Sequence, residues 1–320
     1  MAEPVQPSDS ALRRDAAGVT GAPLDLAAFP GCWAVRITRS EIDDYEGRLE
    51  YWEASTETAM VLCEPVTTWH EQPSQRLARL AERIAASRGS PIETFGCCDL
   101  VRFDESGARE ALMQADQVVY LHPLTTPVTE EPWVDVDGEA RPDVVLEVDY
   151  STDVRRGKLR LYEAWGFPEV WVDVPDARSP SRPKSRPSAL TIHLLEDGRF
   201  RTASASRAFA GWTAAEIHRA LNEQPVSRET LDALRRVGRT LGEAEGTGPD
   251  DDPWLAAERG EALASSRAAM VVAFLEARGL PASPGLVDRL AALVGVSDAE
   301  LVRAANACTS ADELLRLLHD

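Results

Sequence analysis

The sequence predicts a mixed α/β domain followed by an all-helical appendage. Two observations carry this. Up to about residue 222, short runs rich in Val, Leu, Ile, Tyr and Trp alternate with amphipathic stretches rich in alanine. Beyond about residue 225 the strand signals vanish, and Ala, Leu, Arg and Glu dominate. A chain of 320 residues is also longer than one core usually absorbs, so one large domain and one smaller one are expected.

Residues 1–29 are polar and turn-rich and read as a disordered leader without the apolar region of a secretory signal. CWAVRITR, RLEYWEA and AMVLCEP then read as short strands. PSQRLARLAERIAAS, residues 73–87, spaces its apolar residues as a helix does. CCDLVRF and ADQVVYLH are strand-like, and WVDVDGEARPDVVLEVDY turns at Asp137-Gly138 before another strand. KLRLYEAWG, residues 158–166, is an amphipathic helix stopped by glycine, and PEVWVDV is a strand. DARSPSRPKSRPS is a basic loop, and ALTIHLLEDGRFRTAS is a hairpin turned at Asp197-Gly198. The α/β domain is therefore placed at 30–222 and a linker region at 223–253, with GEAEGTGPDDDP its acidic, flexible part. A helical domain at 254–320 starts with one long helix; Ser297 and Ser310 each precede a glutamate by three residues, the signature of a capped helix start.

The net charge is −19, which counts against non-specific nucleic-acid binding but leaves room for a local basic patch or a divalent metal site. No apolar run is long enough to span a membrane. Five cysteines, two of them adjacent at Cys97 and Cys98 and none in a CxxC pair, argue against a disulfide framework or zinc site. A reducing cytoplasm is the simplest compartment.

The chemistry concentrates in RPDVVLEVDYSTDVRRGKLRLY, Arg141 to Tyr162. An apolar strand ends on Glu147, Asp149 lies two residues on, and Lys158 opens the next helix. A lone strand glutamate usually faces solvent or pairs with an arginine such as Arg155. Here it has company, because Asp116 starts a neighbouring β segment. Carboxylates on adjacent strands can share Mg²⁺ or Mn²⁺, helped by a main-chain carbonyl such as that of Val148. A nearby lysine can position water or stabilise charge on a phosphoryl oxygen. An Asp, a Glu and a Lys across two strands and a helix start thus follow the logic of metal-dependent phosphodiester hydrolysis.

These segments resemble the Uma two family, within the PD-(D/E)xK, restriction-endonuclease-like superfamily. The resemblance rests on QADQVVYL (114–121), PDVVLEV (142–148), RGKLRLYEAWGFPEVWVDVPD (156–176) and LTIHLLEDGRF (190–200). AFAGWTAAEI is similar to the way that domain closes, and YEGRLEYWEAS and WHEQPSQRLARL to its opening strand and first helix, so about residues 40–222 are covered. The resemblance implies a restriction-endonuclease-like mixed β-sheet core flanked by helices, and a Mg²⁺- or Mn²⁺-dependent endonuclease. Asp116 and Glu147 would be the metal acids, and Lys158 a lysine moved from its usual place, where Asp149 stands. His70 matches a histidine at the start of the first helix. Asp149 would add a ligand or position a second ion. The chain departs from the family where YSTD replaces a Ser-Pro-Ser-like segment, where the loop to Lys158 is short, and where Ala115 replaces a proline.

Other conspicuous residues have plainer readings. Asp143 mimics the superfamily's PD aspartate, but Asp116 starts the preceding strand and could face Glu147. His70 reads as a helix-start residue as readily as a site residue. His122, His193 and His218 lack ligand spacing, and Trp165 and Trp171 read as core. Tyr162 reads as packed beneath the site; Arg155 and Arg156 either hold a phosphate or pair with Asp153. The basic loop is the chain's best candidate for touching nucleic acid, with DNA favoured over RNA. The rival reading is a non-catalytic nuclease-fold binding or regulatory module, and a third has the helical tail drive assembly into a homo-oligomer.

Overall fold

A computed structural model describes residues 28–45, 47–63, 68–123, 133–138, 141–179, 182, 186–293 and 295–318. All but the last two residues of the expected leader lie outside this set. The chain divides into two compact units between Gly248 and Pro249. Among the described residues, no helix is long and apolar enough to cross a membrane, and no disulfide forms.

The first unit is mixed α/β. Its elements run β1 (Cys32–Arg36), α1 (Arg39–Ile42), β2 (Leu49–Glu53), β3 (Thr58–Leu62), α2 (Thr68–Arg88), β4 (Glu93–Phe103) and β5 (Arg109–Tyr120). They continue through β6 (Trp133–Asp135), β7 (Val144–Val148), α3 (Lys158–Ala164), β8 (Glu169–Val174), β9 (Ala189–Glu196), β10 (Arg199–Ala203), α4 (Ala214–Asn222) and α5 (Arg228–Glu245). Ten strands form one mostly antiparallel sheet, ordered β1-β3-β2-β5-β7-β8-β9-β10, with β4 on β5 and β6 on β4. Among the described residues, only the β7–β8 and β4–β6 pairings are parallel. The helix expected from Pro73 begins five residues earlier, at Thr68, with Pro73 in its second turn.

Every residue of β7 is buried, so its alternation shows only in which face each side chain enters. Val144, Leu146 and Val148 pack with Leu77 and Ile84 of α2 and with Ile217 and Leu234. Val145 packs on the opposite face with Leu161, Tyr162 and Phe167. Two-residue periodicity sends Glu147 to that second face, beneath α3.

Part of the expected linker region is helix. α5 buries Ala233, Leu234 and Val237, and α2 is its main neighbour. A Cβ on Gly238 would lie 2.6 Å from the Ser87 Cβ and 2.7 Å from the Ile84 carbonyl oxygen, so glycine permits the close crossing. Arg88, fully buried, fixes the far end: its Nε donates to Glu245 Oε2 at 2.7 Å and its Nη1 to the Leu121 carbonyl at 2.6 Å.

The second unit, from Pro249, comprises α6 (Pro253–Ala277), α7 (Leu286–Ala291), α8 (Asp298–Ala307) and α9 (Ala311–Leu317). They close on their own core of Leu275, Leu286, Leu290, Leu301 and Leu314. Asp252, Ser297 and Ser310 accept bonds from the backbone N–H groups of Leu255, Glu300 and Glu313, as N-caps do.

Candidate active site

The candidate site lies at a fork in the sheet. One edge of β5 pairs with β4 over most of its length. The other edge pairs with β2 through Ala111 and Leu112, and then with β7 through Gln117 to Val119. Asp116 falls in the interval between these pairings. β2 contributes Glu50, and β7 contributes Glu147, next to the Leu146 that pairs with Gln117.

Lys158 joins these acids. Its Nζ donates to Glu147 Oε2 at 2.9 Å and lies 2.7 Å from Glu50 Oε2. The Tyr162 hydroxyl donates to Glu147 Oε1 in a short bond. Lys158 and Tyr162 are four residues apart on α3, so both face the strand end. Asp116 Oδ2 accepts the Val148 N–H at 2.7 Å, and its Oδ1 lies 3.6 Å from His70 Nε2 on α2. The sequence from β7 to α3 is built for this reach. Asp149 Oδ1 accepts from Val154 N–H at 3.0 Å and from Thr152 Oγ1 at 3.3 Å. A single 3₁₀ turn at Val154–Arg156 follows and delivers Lys158 to the start of α3.

The electrostatics are unbalanced. Glu147 and Lys158 are each only 2% exposed. Burial pushes the Glu147 carboxyl up; Lys158 opposes this, while Asp116 and Glu50 reinforce it, and the pKa reaches about 8. Burial would lower the Lys158 pKa, but Glu147, Glu50 and Asp116 together raise it. Burial and the Glu147 charge raise Tyr162 well above an ordinary phenol. One buried ammonium therefore faces three carboxylates, and the part-exposed Arg48 guanidinium adds its charge on the Asp116 side. Lys158 alone does not balance the acids, so a proton on Glu147 or a further cation lowers the cost of burying them. That surplus of oxygen donors fits a hard divalent ion, with Asp116, Glu147 and Glu50 as candidates. Among the described residues, no three His, Cys, Asp or Glu side chains are gathered tightly enough to make a metal cage by themselves. Mg²⁺ commonly relies on one or two carboxylates and keeps its waters.

The structure brings Asp116, Glu147, Lys158 and His70 together. Asp149 is a correction: it is fully buried, forms a close ion pair with Arg186, and holds the 152–154 turn instead of facing the acids. Val148 contributes its N–H to Asp116, while its carbonyl accepts from Tyr150 N–H at 2.9 Å. Asp143 is engaged elsewhere, accepting the Leu121 N–H at 2.7 Å. Arg155 grips Asp153 with two bonds, which decides for pairing with Asp153 over a phosphate contact. In the basic loop, Arg182 donates to the carbonyls of Pro175 and Ala177, and Arg186 to that of Thr152, so both arginines hold the loop itself. Lys184 lies outside the described residues. Sequence reasoning missed Glu50. RLEYWEA holds two glutamates three apart on a strand buried throughout, so no alternation distinguishes the site acid.

No known family model matches the chain, and no curated protein matches it.

Proposed function

We propose that the first unit is a restriction-endonuclease-like domain that hydrolyses nucleic-acid phosphodiester bonds with Mg²⁺ or Mn²⁺. One observation supports this above the rest: Lys158, eleven residues beyond Glu147, shares its ammonium between Glu147 and Glu50 beside Asp116. Asp116 and Glu147 would hold the ion, with Glu50 beside them on Lys158, and the ion when bound supplies Lewis acidity to water and to the phosphoryl group. The Val148 N–H fixes Asp116, and Tyr162 fixes Glu147. Lys158 places a permanent positive charge where negative charge develops on phosphoryl oxygens, and burial strengthens that attraction. His70 Nε2, 3.6 Å from Asp116 Oδ1, would help to orient that carboxylate.

The test is Mn²⁺-dependent cleavage of mixed DNA and RNA substrates by wild type, Glu147→Ala and Lys158→Ala. Both variants should lose at least about a hundredfold in rate, the scale set by losing a metal-site or transition-state contact. Equal cleavage by all three proteins overturns the proposal. A second reading, a binding module without turnover, draws on the engagement of both Glu147 oxygens by Lys158 and Tyr162. Under that reading neither Mg²⁺ nor Mn²⁺ binds, and Glu147→Ala changes no titration.

A further inference from the structure

A second feature lies outside the acidic site and shares none of its residues. A groove of about 670 Å³ lies between α2, the segment after β8, and the end of α4. Its size falls within the range of pockets that enclose small organic ligands. Arg76 and Arg178 line it, with Gln72, Asn222 and Gln224, and among the described residues Asp176 is its one acid. Leu221, Pro73 and Pro175 give it buried apolar surface. In a chain of net charge −19, a wall with two guanidiniums against one carboxylate is a local reversal of sign.

The arrangement is held in place. Arg76 donates to the Leu221 carbonyl at 2.8 Å and to Gln224 Oε1 at 3.1 Å, which fixes its guanidinium at the groove wall. Asp176 Oδ1 sits 3.2 Å from His218 Nε2, so the one acid already has a partner. Two short stretches of chain run from the acidic site to the groove. Gln72 follows His70 by two residues on α2. The Tyr150 hydroxyl, two residues past Val148, donates to the Arg178 carbonyl at 3.3 Å.

We propose that this groove binds a single nucleic-acid strand, with a backbone phosphate against Arg178 and Arg76 and sugar or base against the Pro73–Pro175–Leu221 surface. Guanidinium groups suit phosphate oxygens geometrically, and the side-chain amides of Gln72 and Gln224 add donors. This deepens the nuclease reading and rests on it, since the groove would hold the strand that the acidic site cuts.

The test measures fluorescence anisotropy of a labelled single-stranded 12-nucleotide DNA with the full chain in EDTA, so that binding is read without cleavage. Arg178→Glu should weaken binding tenfold or more and reduce the salt slope by about one phosphate contact. Arg36→Glu, on β1, five strands from β8 in the sheet order, makes the same change in net charge and should alter binding less than twofold. Gln72→Glu, on the α2 side of the lining, should also weaken binding, by less than Arg178→Glu because it changes one charge instead of two, and unchanged binding by this variant counts against the proposal. Equal weakening by Arg178→Glu and Arg36→Glu, or no binding by wild type, overturns the proposal. Glu147→Ala separates the two ideas. If it still cuts while Arg178→Glu releases the strand, the groove stands and the nuclease site fails. If it stops cutting while Arg178→Glu binds normally, the nuclease site stands and the groove fails.

Discussion

Two buried acids end neighbouring parallel strands and have opposite company. In register, Val148 of β7 pairs with Asp173 of β8, so Glu147 and Asp173 lie about one residue apart along the sheet. Asp173 is fully buried yet satisfied: His218 Nδ1 lies 2.7 Å from its Oδ1, and Asn222 donates to its Oδ2 at 3.2 Å. Its one acidic neighbour, Asp176, sits at the surface on the other side of the same imidazole. Glu147 instead shares one ammonium with Glu50, near Asp116. A near-balanced cluster is a latch that holds α4 to β8. An acid-rich cluster is a site that gains from another cation, and folded proteins retain such imbalance where function needs it.

The largest expected effect breaks the balanced side. Asp173→Ala removes the carboxylate that organises His218 and Asn222, and should cost about 3 kcal/mol, the scale for dismantling a buried pair. The urea midpoint measures it. A loss below about 1 kcal/mol would show that the latch is not one. Next comes the unbalanced side. Mg²⁺ at ten times its Kd should stabilise wild type by about 1.4 kcal/mol through mass action. The same addition should leave Glu147→Ala unmoved and should stabilise Asp173→Ala as much as wild type. A smaller effect has the opposite sign from most core substitutions. Glu50→Gln removes one surplus charge while keeping a hydrogen-bond acceptor for Lys158, and should raise stability by about 1 kcal/mol without metal. Its destabilisation by as much would mean that Lys158 needs both glutamates.

The two acids also differ in how far the sequence exposes them. Glu147 is legible because a carboxylate in an all-apolar strand is costly unless partnered, and Lys158 and Tyr162 follow at helical spacing. Asp173 sits in an equally apolar strand, but its partners come from α4, some 45 residues away, with no local spacing to announce them. Glu50 is hidden for the same reason, since the fork that gathers β2, β5 and β7 is a property of pairing order and not of any one segment. The strands and the helical second unit follow from periodicity and capping. α5 does not, because Gly238 and Gly242 weaken a helical reading until α2 is seen to need their small size.

The smallest effect is a titration. Burial alone would lower the His218 pKa, but the hydrogen bond and charge of Asp173, with Asp176, raise it above the ordinary 6.5. A raised folded-state pKa means that the contribution is complete below about pH 6.5, the unfolded value, and is lost as pH climbs through the folded one. What is lost is the charged part of one hydrogen bond, about 1 kcal/mol. Glu147, lifted by burial to about 8, shifts stability in the same direction between its ordinary carboxylate range and that value. The comparison therefore needs the difference between wild type and His218→Gln, measured by urea unfolding at pH 6 and pH 9. Wild type should lose more stability than the variant across that range, because only wild type carries the imidazolium. Parallel losses would place the whole alkaline slope at the acidic fork and leave the Asp173 latch neutral, erasing the contrast in charge between the two strand ends.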